Sequence, residues 1–90
     1  MLTQKYLKQI LTYNIDTGVF NWAKKRRKVA PGSVAGCDSA HRYIQIKIDG
    51  KTYYAHRLAW LYVYGYLPEH EIDHINGNPK DNRIQNKFSR

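Results

Sequence analysis

The sequence predicts a small α+β fold: an N-terminal helix, an antiparallel hairpin packed on a second helix, and a C-terminal strand and loop closed by a short helix. Three observations predict it. Apolar residues recur at helical spacing in Tyr6, Leu7, Ile10 and Leu11 and again in Leu58, Leu61 and Tyr62, the signature of helices with one buried face. Ile44, Ile46 and Ile48 alternate with Gln45 and Lys47 up to Asp49-Gly50, a strong two-residue hairpin signal. Glu71 to Ile75 reads as a strand, Asn76-Gly77-Asn78-Pro79 as its turn, and Asp81 as the N-cap of a final helix.

Taken in order, Thr3 caps the first helix, and the turn chemistry of Asn14 to Gly18 ends it. Val19 to Trp22 reads as a short strand with Phe20 and Trp22 on one face. Five consecutive cations, Lys24, Lys25, Arg26, Arg27 and Lys28, follow. Their mutual repulsion favours an exposed loop, which reads as an arm that contacts phosphates. Pro31-Gly32 and Gly36 mark loop or bulge. With a two-residue turn at Asp49-Gly50, Ile48 faces Lys51, Ile46 faces Tyr53 and Ile44 faces Ala55. Gln45, Lys47, Thr52 and Tyr54 then share the opposite side. A helix from about Arg57 to Tyr64, stopped by Gly65 with Pro68 beyond, is expected to pack on the isoleucine face.

Ninety residues make one small domain, which buries about 60 to 65 per cent of its unfolded surface. The eight tyrosines and two tryptophans suit such a core, since each ring buries a large area and keeps a polar handle. A formal charge of +8 points to a polyanion, with nucleic acid ahead of an acidic membrane surface. No apolar run approaches the roughly 18 residues of a spanning helix, and Met1 to Lys5 lacks the apolar core of a secretory signal. The sequence therefore reads as cytoplasmic. Cys37 is the one cysteine, so neither an internal disulfide nor a four-cysteine zinc site can form, and it reads as an inert small residue.

The segment from Glu71 to Asn78, with Asp81-Asn82-Arg83 and Asn86 after it, gathers a carboxylate, an imidazole and several amides. Those are the group types that metal-assisted phosphodiester hydrolysis uses. Adjacent Asp73 and His74 point to opposite sides of a strand. One can bind a metal while the other works elsewhere.

This segment resembles the HNH endonucleases, particularly those of phages and homing elements. Upstream, Thr12 to Asn14, Thr17 to Trp22, Gly32 to Gly36, Tyr43 to Gly50 and Ala55 to Trp60 are similar to the blocks that precede the nuclease motif in that family. The resemblance implies one HNH-like domain over residues 1–90, divided into an N-terminal helix, strand and basic loop (1–40), a hairpin plus helix (41–67) and the motif itself (68–90). It implies a beta-beta-alpha metal fold that hydrolyses double-stranded DNA with one divalent ion, Mg2+ or Mn2+. Asp73 matches the first metal ligand and His74 the general base that activates water. Asn86 matches the middle asparagine, whose amide is expected to bridge the helix to the loop or strand and to hold His74 in orientation. Asn82 and Gly77 match structural positions. Arg57, Arg83 and the five cations Lys24 to Lys28 are the expected DNA contacts. A single site would nick one strand, and a double-strand break would call for a homodimer. The expected location is phage or bacterial host cytosol. His56 reads either as a DNA contact or as a packed or capping residue, and His41 and His70 carry no role.

The chain departs from the pattern in one respect. The family's second metal ligand, His or Asn, falls after Arg90, so the closing helix is expected to be short and one protein ligand missing. The alternative is therefore a DNA-binding module that has lost cleavage.

Overall fold

Why the chain turns where it does is clearest at its start, where the Thr3 hydroxyl accepts the Tyr6 amide at 3.1 Å and opens helix α1, Gln4–Ile10. The computed structural model describes residues 2–25, 29–36, 43–68 and 71–89. The expectations for Arg26, Arg27, Lys28, Cys37, His41 and His70 lie outside the described residues. Leu7 and Ile10 are the buried face of α1. Leu11, which fits the helical spacing, instead adopts extended backbone and begins strand β1, Leu11–Tyr13. Strand pairing overrides helix continuation here. Leu11 pairs with Trp22 and Tyr13 with Phe20 in β2, Phe20–Trp22, so the turn between them closes a hairpin. Within that turn the Asn14 carboxamide accepts the amides of Asp16 and Thr17 at 2.9 and 3.2 Å. A short strand β3, Val34–Ala35, adds to the other edge of β2.

The second hairpin has the register that its isoleucines demand. In β4, Gln45–Ile48, and β5, Lys51–Tyr54, Ile48 pairs with Lys51, Ile46 with Tyr53 and Gln45 with Tyr54. Asp49 and Gly50 both have positive φ, 50° and 83°, the conformation that a two-residue hairpin turn requires. Helix α2, Ala55–Tyr64, follows with no loop, starting two residues earlier than expected, and Gly65 in the left-handed region ends it. The Ala55 amide donates to the Ile44 carbonyl at 2.8 Å, so Ile44 and Ala55 meet as helix start rather than as strand pair. Leu7, Leu11, Phe20, Ile46, Ile48, Leu58 and Leu61 form one core between α1, the two sheets and α2. The isoleucine face of the hairpin packs on α2 as expected.

The C-terminal element is a third hairpin, β6 (Ile72–His74) with β7 (Lys87–Ser89), and it encloses a long loop. The expected closing helix is one 3-10 turn, Ile84–Asn86, entered from Arg83 and not capped by Asp81. Two constraints shorten it. Ile84 must reach Trp60 and Ile72, with which it forms a second small core, and the Asn86 side chain is committed to the loop. The Tyr13 hydroxyl donates to the Asn82 carbonyl at 2.5 Å, and Gly18 lies directly on the Asn82-Arg83 backbone. The N-terminal sheet thus braces the C-terminal loop.

Candidate functional site

The loop from Ile75 to Arg83 is held from inside. Asn86 is 5 % exposed, and its carboxamide accepts the Asn76 amide at 2.9 Å and donates to the Asn76 side chain at 3.0 Å and the Asp81 carbonyl at 3.2 Å. Its backbone carbonyl accepts the Ile75 amide at 2.7 Å. Asn86 therefore acts on the loop, and none of these bonds is to His74. Gly77, with φ +75°, donates its amide to the His74 carbonyl at 2.9 Å and turns the chain away from β6. Asp81 is the hub of the loop. Its carboxylate accepts Arg83 Nε at 2.9 Å, Arg83 Nη2 at 2.7 Å and the Asn76 side chain at 2.9 Å. These bonds hold its carboxyl well below the usual carboxylate range.

His74 lies beside a second imidazole. Its ring is 5.1 Å from that of His56 in an edge-on arrangement and 6.0 Å from Tyr43, stacked. Tyr54 in turn stacks on His56 at 5.4 Å. His74 Nε2 and His56 Nδ1 are both buried and have no hydrogen-bond partner among the described residues. Burial is the main force pushing His74 below its ordinary value, and the Lys87 ammonium adds to it, while Asn82, Asp81 and Asp73 oppose. Lys87 pairs with His74 across the hairpin. Burial likewise pushes His56 down to about 4, helped by His74, Lys87 and Arg57. Of the readings open for His56, packing is the one seen, since the residue is 8 % exposed. Lys87 is itself buried and is pushed down to about 8, chiefly by burial. Its Nζ donates to the Asp81 carbonyl at 2.9 Å.

The remaining expected residues are placed as follows. Asp73 is half-buried on β6, opposite Phe88 in register and on the other side of the strand from His74. Asn82 is 3 % exposed, with its carboxamide oxygen unpartnered among the described residues. Arg83 gives its paired donors to Asp81, and Arg57 donates to the Pro68 carbonyl at 3.4 Å. Lys24 and Lys25 are exposed. Asp73 and His74 thus sit on β6, and Asn86 in the 3-10 turn that leads into β7.

The expectation of a divalent cofactor is overturned. Among the described residues no group of three or more His, Cys, Asp or Glu side chains is placed to hold a metal ion. Mg2+ and Mn2+ need several oxygen ligands. Asp73 supplies one carboxylate, Asp81 has its own committed to Arg83 and Asn76, and His74 buries Nε2.

Four contributors escaped the sequence reading. Asp81 looks like a helix cap, and only its spacing to Arg83 signals an ion pair. Lys87 carries no local signal of burial, which follows from its register with His74. Tyr13 and Gly18 reach the loop from far away in sequence.

Residues 53–86, from β5 to the 3-10 turn, match the family model described as HNH endonuclease. No curated protein and no solved structure matches the chain. No helix among the described residues is long and apolar enough to cross a membrane.

Proposed function

We propose that this chain is a DNA-binding module built on the HNH endonuclease scaffold, with cleavage impaired or lost. One combination of observations carries the reading: the HNH match over residues 53–86 coincides with a motif in which no three candidate ligand side chains come together among the described residues. The net charge of +8 supplies the general attraction to a phosphate backbone. Lys24 and Lys25 are exposed to take part in it, and we assign the neighbouring Arg26, Arg27 and Lys28 the same role. The neutral His74 imidazole favours a second reading, in which it still serves as a general base in strand nicking. Nothing in the first reading calls for a second protomer.

The experiment is conversion of supercoiled plasmid by wild type and His74→Ala, each in Mg2+, Mn2+ and EDTA. The expected result is no nicking above the protein-free control in any arm. Nicking that requires a divalent ion and disappears in His74→Ala would overturn the proposal in favour of an active endonuclease.

A further inference from the structure

We infer that the β4–β5 hairpin is the element that reads DNA sequence: its outward face, carrying Gln45, Lys47 and Thr52, enters the major groove of the bound duplex. The inference rests on the DNA-binding reading above and says how such a module would discriminate one site from another.

Shape is the first argument. β4 and β5 form a two-stranded sheet of their own among the described residues. A two-stranded ribbon is one of the two protein elements that a major groove about 12 Å wide admits. Four residues per strand give a ribbon about 13 Å long. Ile46 and Ile48 anchor its inner face in the core at 1 % and 2 % exposure. The outer face is therefore presented in a fixed register and not on a mobile loop.

Chemistry is the second. Pairing of Lys47 with Thr52 and of Gln45 with Tyr54 brings an amide, an ammonium and a hydroxyl to one face. An amide suits adenine, an ammonium suits the guanine acceptors, and a hydroxyl serves either. That face carries no carboxylate. The one acid of the hairpin, Asp49 at the turn, takes a hydrogen bond from the Tyr6 hydroxyl. Arg83 in the HNH segment, the side chain best suited to paired recognition, has its fork committed to Asp81, so base contacts must come from elsewhere.

Continuity is the third. Tyr54 ends the outward face and stacks on His56 at 5.4 Å, and Tyr43 lies 5.5 Å from Tyr54 and 6.0 Å from His74. Ring contacts therefore join the end of the ribbon's polar face, at Tyr54, to the cluster around His74. One duplex can lie against both.

The test is selection of binding sites from duplexes with a randomised core, by wild type and by the triple variant Gln45→Ala, Lys47→Ala, Thr52→Ala. Thermal melting confirms that both are folded. The wild type is expected to select a preferred site, and the variant to lose that preference over about four adjoining base pairs, the span of the ribbon at 3.4 Å per base pair. Replacing purines of that site with 7-deaza analogues, which lack the major-groove N7 acceptor, should weaken wild-type binding about 10-fold and leave the variant unchanged. A wild type that binds duplex DNA but selects no sequence, or a variant that keeps the same preference, overturns the ribbon while the DNA-binding reading stands. A wild type that binds no duplex removes both.

Discussion

Gly18→Ala should be among the most damaging single-methyl changes this molecule can suffer. Gly18 has φ +75°, and a Cβ built on it would lie 2.3 Å from both the Asn82 carbonyl carbon and the Arg83 amide nitrogen. Neither atom can yield, because the loop backbone there is held by the Tyr13 hydroxyl on one side and by Asn86 and Asp81 on the other. The left-handed conformation alone costs about 1–2 kcal/mol for a residue with a side chain. Forcing the turn off the loop adds about 1–3 kcal/mol of overpacking and forfeits a hydrogen bond worth about 1 kcal/mol. The sum, about 3–6 kcal/mol, approaches the whole stability of a domain of this size. Gly50→Ala isolates the first contribution, since Gly50 has φ +83° and nothing within 4 Å of its Cβ position. Thermal and urea denaturation followed by circular dichroism in one buffer compares the two. With about 4–8 °C lost per kcal/mol, Gly50→Ala should melt roughly 5–15 °C low and Gly18→Ala at least twice as far. Equal losses in the two variants would refute the claim that the N-terminal turn is docked on the loop.

Stability should fall in mild acid because of His56. Its folded value of about 4 lies below its ordinary 6.5, so the unfolded chain binds the proton first. Stability is full above about pH 6.5 and is lost as pH falls through 4, by up to about 3 kcal/mol. His74 is shifted in the same direction, and urea titrations of His56→Phe against wild type between pH 7 and 4 should show a shallower decline for the variant. Lys87 behaves in the opposite range: with a folded value near 8 against 10.5, its burial opposes folding at neutral pH, and the penalty eases as pH rises through that window. Lys87→Leu should therefore raise stability at pH 7 by about 1 kcal/mol after loss of its bond to the Asp81 carbonyl, and a lower melting temperature than wild type would contradict this. Replacing Lys24 and Lys25 with alanine should reduce the salt slope of DNA affinity by up to about 0.9 per lysine, as read by fluorescence anisotropy at several salt concentrations.

How far the sequence could be read depended on whether local chemistry or distant partners decided each element. The β4–β5 register was legible because Asp49-Gly50 accepts one tight turn and a slip of one residue would expose Ile46 and Ile48. The extents of α1 and α2 followed from caps and spacing to within a few residues. β1 was not legible, since Leu11 continues the helical pattern and only pairing with Trp22 makes it a strand. β7 was hidden for a similar reason: Lys87 is charged, and its burial is decided by Asp81, His74 and Asn86 together. At the site, the HNH match over residues 53–86 agrees with the resemblance. The divalent ion was the error. Among the described residues no three His, Cys, Asp or Glu side chains come together to hold one, and the Asp81 carboxylate is committed to Arg83 and Asn76.

The most direct test of the central claim is a titration of duplex DNA with the protein in EDTA, repeated across a range of salt. The account predicts that binding persists without any divalent ion and that log affinity falls linearly with log salt, by about 0.9 for each phosphate neutralised. Binding that vanishes in EDTA and returns with Mg2+ or Mn2+, or an affinity indifferent to salt, would contradict it.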